Sequence, residues 1–167
     1  TAVDFEYSNN GLGPTIKEDI VLRADGIPHF WTIKGATTFS SKVNEIFEVD
    51  GLKARWTDTT GTSSVEADTP PLYVAQNPSP YAIWLYARVL LVCVDQARSV
   101  LPGGELKLHK IEELNITGKI GTETVTSYAL SGIAMNPSYF LNDSEGSFIN
   151  MIHLSQFIRV LNGCICK

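Results

Sequence analysis

The sequence predicts a mainly β domain of the α+β class: a curved antiparallel sheet or open barrel wrapped around one long helix, at about residues 79–98. Three observations carry this. Short runs of alternating apolar and polar residues, separated by Asn, Asp, Gly and Pro, recur about every ten residues through the first half. One stretch, SPYAIWLYARVLLVCVDQAR from Ser79 to Arg98, places its apolar residues at helical spacing instead. No linker, internal repeat or low-complexity tract divides the 167 residues, so a single β-rich domain, 1–167, is expected.

Val3 to Tyr7 alternates Val, Phe and Tyr with Asp and Glu, the pattern of a half-buried strand. The cluster Asn9 to Pro14 is a turn. Thr15 to Arg23 reads as the second strand, and Asp25-Gly26 as a hairpin signal. Pro28 to Thr37 and Lys42 to Val49 follow as strands, then Asp50-Gly51, then Leu52 to Thr57. Asp58 to Ser64 reads as a polar loop. Val65 to Ala67 and Leu72 to Ala75 read as short strands around the Pro70-Pro71 corner.

The helix is punctuated at both ends. Ser79 suits the N-cap and Pro80 the first helical position, where its missing N–H costs nothing. Ala82, Leu85, Tyr86, Val89 and Cys93 form one stripe, and Leu101-Pro102-Gly103-Gly104 ends the element. Strands then resume at Leu106 to Ile116, Glu123 to Leu130, Tyr139 to Leu141, Phe148 to His153 and Phe157 to Leu161, with turns at Gly118 to Gly121 and Glu145-Gly146. The expected core is Phe5, Ile20, Leu22, Trp31, Ile33, Phe47, Trp56, Leu85, Val89, Leu106, Leu108, Tyr128, Leu130 and Ile149.

Composition excludes some functions. Net charge is −5 and the cations are scattered singly, so no nucleic-acid footprint is expected. The longest apolar run, Val89 to Val94, is far short of the roughly 20 residues of a transmembrane helix. No signal peptide or lipidation motif is found; TAVDFEYS starts directly in a strand pattern, as a mature or truncated chain would.

Signatures of chemistry are sparse. His29, His109 and His153 are isolated in sequence, and a zinc site would need the fold to assemble them. Cys93 reads as a small buried hydrophobe. Cys164 and Cys166, in a strand, would point the same way about 7 Å apart, which does not suit a disulfide. Sequons occur at Asn115 and Asn142. The acidic pairs Glu18-Asp19 and Glu112-Glu113 read as solvated faces, and because adjacent strand residues face opposite ways, neither pair converges on one substrate. No metal and no cofactor is expected. The aromatics are best read as core; the functional reading makes Trp31, Phe39, Trp56, Trp84 and Tyr139 a ligand or interface surface, by size and by placement near turns.

Four segments together resemble one family: NNGLGPTIKEDIVLRADGIPHFWTIKGATTFSSKVNEIFEVDGLKARW, PLYVAQNPSPYAIWLYARVLL, LPGGELKLHKIEELNITG and VTSYALSGIAMNPSYFLNDSEGSFINMI. In this order they are similar to the N-terminal β-rich region of bacterial exported amidohydrolase-family proteins. The resemblance runs from about Val3 to Arg159. It implies a periplasmic or secreted setting and a hydrolase context, with a metal-dependent (β/α)8 domain following. Such proteins usually carry a further strand or hairpin before this point, and continue into the barrel where this chain ends at NGCICK. The barrel's His-x-His motif is absent, so no catalytic residue carries over.

The resulting expectation is a non-catalytic accessory or interaction domain. Its partner would be a catalytic barrel domain, or a second copy joined through an edge strand. The alternative is a stand-alone carrier that holds an apolar small molecule between sheet and helix. An enclosed cavity lined by Trp and Tyr would favour the carrier. Clustering of the three histidines would favour an enzyme.

Overall fold

In the computed structural model of the protein, alternation in the first third of the chain becomes an antiparallel meander. Its strands are β1 (Ala2–Glu6), β2 (Thr15–Leu22), β3 (Pro28–Ala36), β4 (Lys42–Asp50), β5 (Lys53–Asp58) and β6 (Gly61–Glu66), paired in sequence order. Next come β7 (Leu72–Tyr73), α1 (Tyr81–Leu91), a 3-10 turn (Val94–Gln96) and β8 (Ala97–Leu101). The chain continues as β9 (Glu105–Gly118), β10 (Gly121–Ser131), β11 (Ser138–Asn142), β12 (Phe148–His153), β13 (Gln156–Leu161) and β14 (Cys164–Cys166). The structure describes residues 1–118, 121–143, 148–153, 156–161 and 164–166, the last three stretches as backbone only. The turn expected at Glu145-Gly146, and the side chains of Ile149, His153, Cys164 and Cys166, lie outside the described residues.

Two compact units are present: Thr1–Leu85 with Ser99–Gly104, and Tyr86–Arg98 with Glu105–Lys167. The fold is mainly β, as the alternation predicted; its meanders are antiparallel, and β7 and β8 form a parallel pair.

In the first unit, strand alternation sorts side chains onto an inner face arranged in rows. Cross-strand register places Ile20, Trp31, Phe47 and Trp56 side by side on β2, β3, β4 and β5. All four are buried. Tyr73 lies against this row, its ring stacked on Phe47 at 4.7 Å and tilted against Trp56 at 6.3 Å. A parallel row contains Phe5, Ile16, Gly35 and Val43. Gly35 has φ +144°, and a Cβ there would fall on the Thr15 carbonyl oxygen. The β2–β3 pair therefore closes around a position without a side chain. Phe5 and Leu22, expected in the core, are half-buried.

The helix is shorter than expected. It covers 11 residues, Tyr81–Leu91, rather than Ser79 to Arg98. Val92 and Val94 are exposed, Asp95 and Gln96 adopt left-handed backbone at φ 57° and 50°, and Ala97 opens a strand. Left-handed residues cannot continue an α-helix. The β-branched Val92 and Val94 also favour extended backbone over helix. The helix is thus corrected from residues 79–98 to three turns, with Tyr81, Ala82, Leu85, Tyr86, Ala87, Val89 and Leu90 buried. Cys93 lies past the helix end, half-buried, with its free thiol donating to the Val89 carbonyl at 3.2 Å.

In the second unit, β9 to β14 pair in sequence order, all antiparallel. Leu106, Leu108, Leu130 and Phe140 are buried, and Tyr128 stacks on Phe140 at 5.5 Å. A bulge at Ile111 shifts the register between β9 and β10. One extra residue changes which side chains share a face. Beyond it the ribbon has a polar face, where Thr117 and Thr122 share a hydrogen bond of 2.9 Å and Thr124 donates to Asn115 at 2.8 Å. Leu114 pairs with Val125, and Ile116 with Glu123, on the opposite face.

Candidate functional site

Two carboxylates interrupt the apolar inner face of the first meander. Glu18 on β2 is 2% exposed and Glu45 on β4 is 1% exposed. Register places both beside Ile33, so they form one row, Glu18–Ile33–Glu45. Their Cα atoms are two inter-strand steps apart, about 10 Å. The sequence expectation for Glu18, a solvated face, is corrected here. Ile16 and Ile20 face inward, and period-2 geometry carries Glu18 in with them. Asp19, Glu112 and Glu113 are exposed as expected.

A burial of this kind requires hydrogen-bond donors. The segment from β7 to α1 supplies them. Glu45 Oε2 accepts from the Gln76 N–H at 2.9 Å; its Oε1 accepts from the Asn77 N–H at 2.8 Å and from Asn77 Nδ2 at 3.2 Å. Glu18 Oε1 accepts from the Ser79 N–H. The strap Gln76–Ser79 thus passes from Glu45 on β4 to Glu18 on β2, tied down at both ends. Its last residue caps the helix, with Ser79 Oγ accepting from the Tyr81 N–H at 3.3 Å. Ser79→Ala is expected to cost about 1 kcal/mol of stability, read as a lower urea midpoint at unchanged slope.

Electrostatics at this row are dominated by burial. Desolvation raises the Glu18 carboxyl above its ordinary range, and the charge of Glu45 adds to this; the Ser79 donors and the Trp31 indole pull the other way. Burial, then the charges of Glu45 and Asp58, hold the Tyr73 phenol well above its usual value. With a row this desolvated and engaged by backbone donors, the chemistry on offer is anchoring of a chain segment.

The aromatic candidates separate. Trp31, 1% exposed, and Trp56, 9% exposed, are members of the inner row. Phe39, 84% exposed, projects from the turn between β3 and β4. Trp84 is half-buried on α1, 5.0 Å from the Tyr81 ring. Tyr139, on β11 of the second unit, is 38% exposed. Among the described residues, clefts open on the first unit. One, of about 270 Å3, is lined by Phe5, Pro14, Ile16, Thr38, Asn77 and Pro78 among others. Another, of about 230 Å3, lies beside Trp56, Arg55 and Glu48. Among the described residues no group of three His, Cys, Asp or Glu could hold a metal ion. His29 is half-buried and His109 exposed. No described helix is long and apolar enough to cross a membrane.

Sequence reasoning missed Glu45 altogether and misplaced Glu18. The signal was present: within Ile16-Lys-Glu18-Asp-Ile20 and Val43-Asn-Glu45-Ile-Phe47, a glutamate occupies the inward phase between two apolar residues. Compared with protein-family models, with curated proteins and with solved structures, the chain shows no match.

Proposed function

We propose that this chain is a non-catalytic accessory domain that acts by interaction, in the manner of the N-terminal β-rich region of an exported amidohydrolase-family protein. The observation that supports this reading best is the use made of the acidic row. Glu18 and Glu45 face a strap of their own chain and accept its backbone donors, which is scaffolding chemistry. The contact surface would centre on Phe39, a large apolar side chain held in water at a turn. The partner would be a metal-dependent hydrolase barrel, encoded in the same reading frame or separately.

The test joins sequence and binding. The reading frame beyond Lys167, or a neighbouring one, is expected to encode a barrel domain. That barrel, purified alone, is expected to co-elute with this chain, and Phe39→Ala to weaken the association about tenfold, the loss of one well-placed aromatic anchor. A genomic context without a barrel, or co-elution insensitive to Phe39, would reject the reading.

A further inference from the structure

Glu18 and Glu45 are two acidic groups on one inner face, both almost fully buried. Among the described residues, no lysine, arginine or histidine forms an ion pair with either. Two like charges in a desolvated row are costly, and the usual relief is uptake of a proton by one of them. Hydrogen bonding decides which. Both oxygens of Glu45 are occupied by the three donors of Gln76 and Asn77. Glu18 receives the Ser79 N–H on Oε1, while no donor meets its buried Oε2 in good hydrogen-bond geometry, and the nearby Trp31 indole and Ser79 donors do not offset the cost of burial.

We propose that the Gln76–Ser79 strap is a proton-responsive latch, held more tightly to the sheet when Glu18 Oε2 carries a proton taken from solvent. The step is simple in its balance. One proton adds to Oε2, the carboxylate becomes a neutral acid, and Oε1 still accepts from Ser79. When the strap lifts, Glu18 is rehydrated and prefers its charged form. Closing is therefore coupled to proton uptake.

The groups facing Glu18 fix the sign. Glu45 on β4 favours the neutral form; the Trp31 indole on β3 and the Ser79 donors favour the charged form; burial outweighs them. Tyr73 on β7, beside Glu45, is neutral throughout this range. Glu18 in the closed state thus titrates above its ordinary value of 4.5. Its contribution is fully present below that value and is lost as pH rises through the closed-state midpoint. The latch is firmer in mildly acidic than in neutral solution.

The experiment uses the full chain. The Glu18 side-chain carboxyl, observed by 13C NMR, is expected to titrate at a higher midpoint in the folded protein than in the same chain in urea. Amide exchange at Ser79, normalised to its intrinsic rate, is expected to slow severalfold from pH 7.5 to pH 5 in the wild type. In Glu18→Gln it is expected not to change over that range. A folded-state midpoint at or below the urea value overturns the proposal, whether or not the variant folds. So does a wild-type pH dependence that survives Glu18→Gln.

Discussion

Phe47→Ala is expected to lower the stability of the first unit by about 3–5 kcal/mol, the range for removing a buried aromatic side chain. Phe47 is 1% exposed and occupies the middle of the inner row, between Trp31 on β3 and Trp56 on β5. The Tyr73 ring covers it in near-parallel stacking, with an interplanar angle of 5°. Truncation therefore removes apolar area, opens a cavity and strands the Tyr73 ring at the same time. The surrounding residues cannot collapse into the gap easily, because two of them are tryptophans fixed by cross-strand register. Phe47→Leu keeps most of the volume and is expected to cost about 1–1.5 kcal/mol, as size-conserving apolar swaps do. All three tryptophans, Trp31, Trp56 and Trp84, belong to the first unit. Urea unfolding followed by tryptophan fluorescence reads this unit directly. Equal midpoints for Phe47→Ala and wild type would place the stabilising row elsewhere.

The same row shows which parts of the fold a sequence exposes. β2 to β5 were legible because each buries one face and wets the other, so period 2 is written into the residues themselves. The residues of β6 signal a strand only from Val65, because Gly61 to Ser64 carry no apolar pattern; they lie on an edge strand exposed on both faces. The helix was overextended because Val92-Cys93-Val94 fits helical spacing, while the left-handed Asp95 and Gln96 are set by backbone conformation that their side chains do not advertise. The carboxylate row was hidden by a rule that usually works, that charged residues face water. What overrides it is a strap distant in sequence, 31 to 61 residues from the glutamates it engages, and no local pattern reports such a partner.

Glu45→Ala is expected to destabilise the first unit by about 3–4 kcal/mol. Three donors lose a charged acceptor at once, and hydrogen bonds to charged groups contribute about 1.5–3 kcal/mol each. The sum is not reached, because Gln76 is exposed and its N–H can turn to water once the strap loosens. Glu45→Gln separates charge from geometry. Its amide oxygen can still accept from one backbone N–H, so about half of the loss is expected to return. Local exchange distinguishes the strap from general unfolding: the Gln76 and Asn77 amides should lose protection well beyond the change at amides of β3, while Phe47→Ala should lower both together. Glu45→Gln should also move the Glu18 midpoint down, because the charge of Glu45 is one of the influences holding it up. The direction of that shift is diagnostic. An unchanged Glu18 midpoint in Glu45→Gln would show that the charge of Glu45 does not reach Glu18.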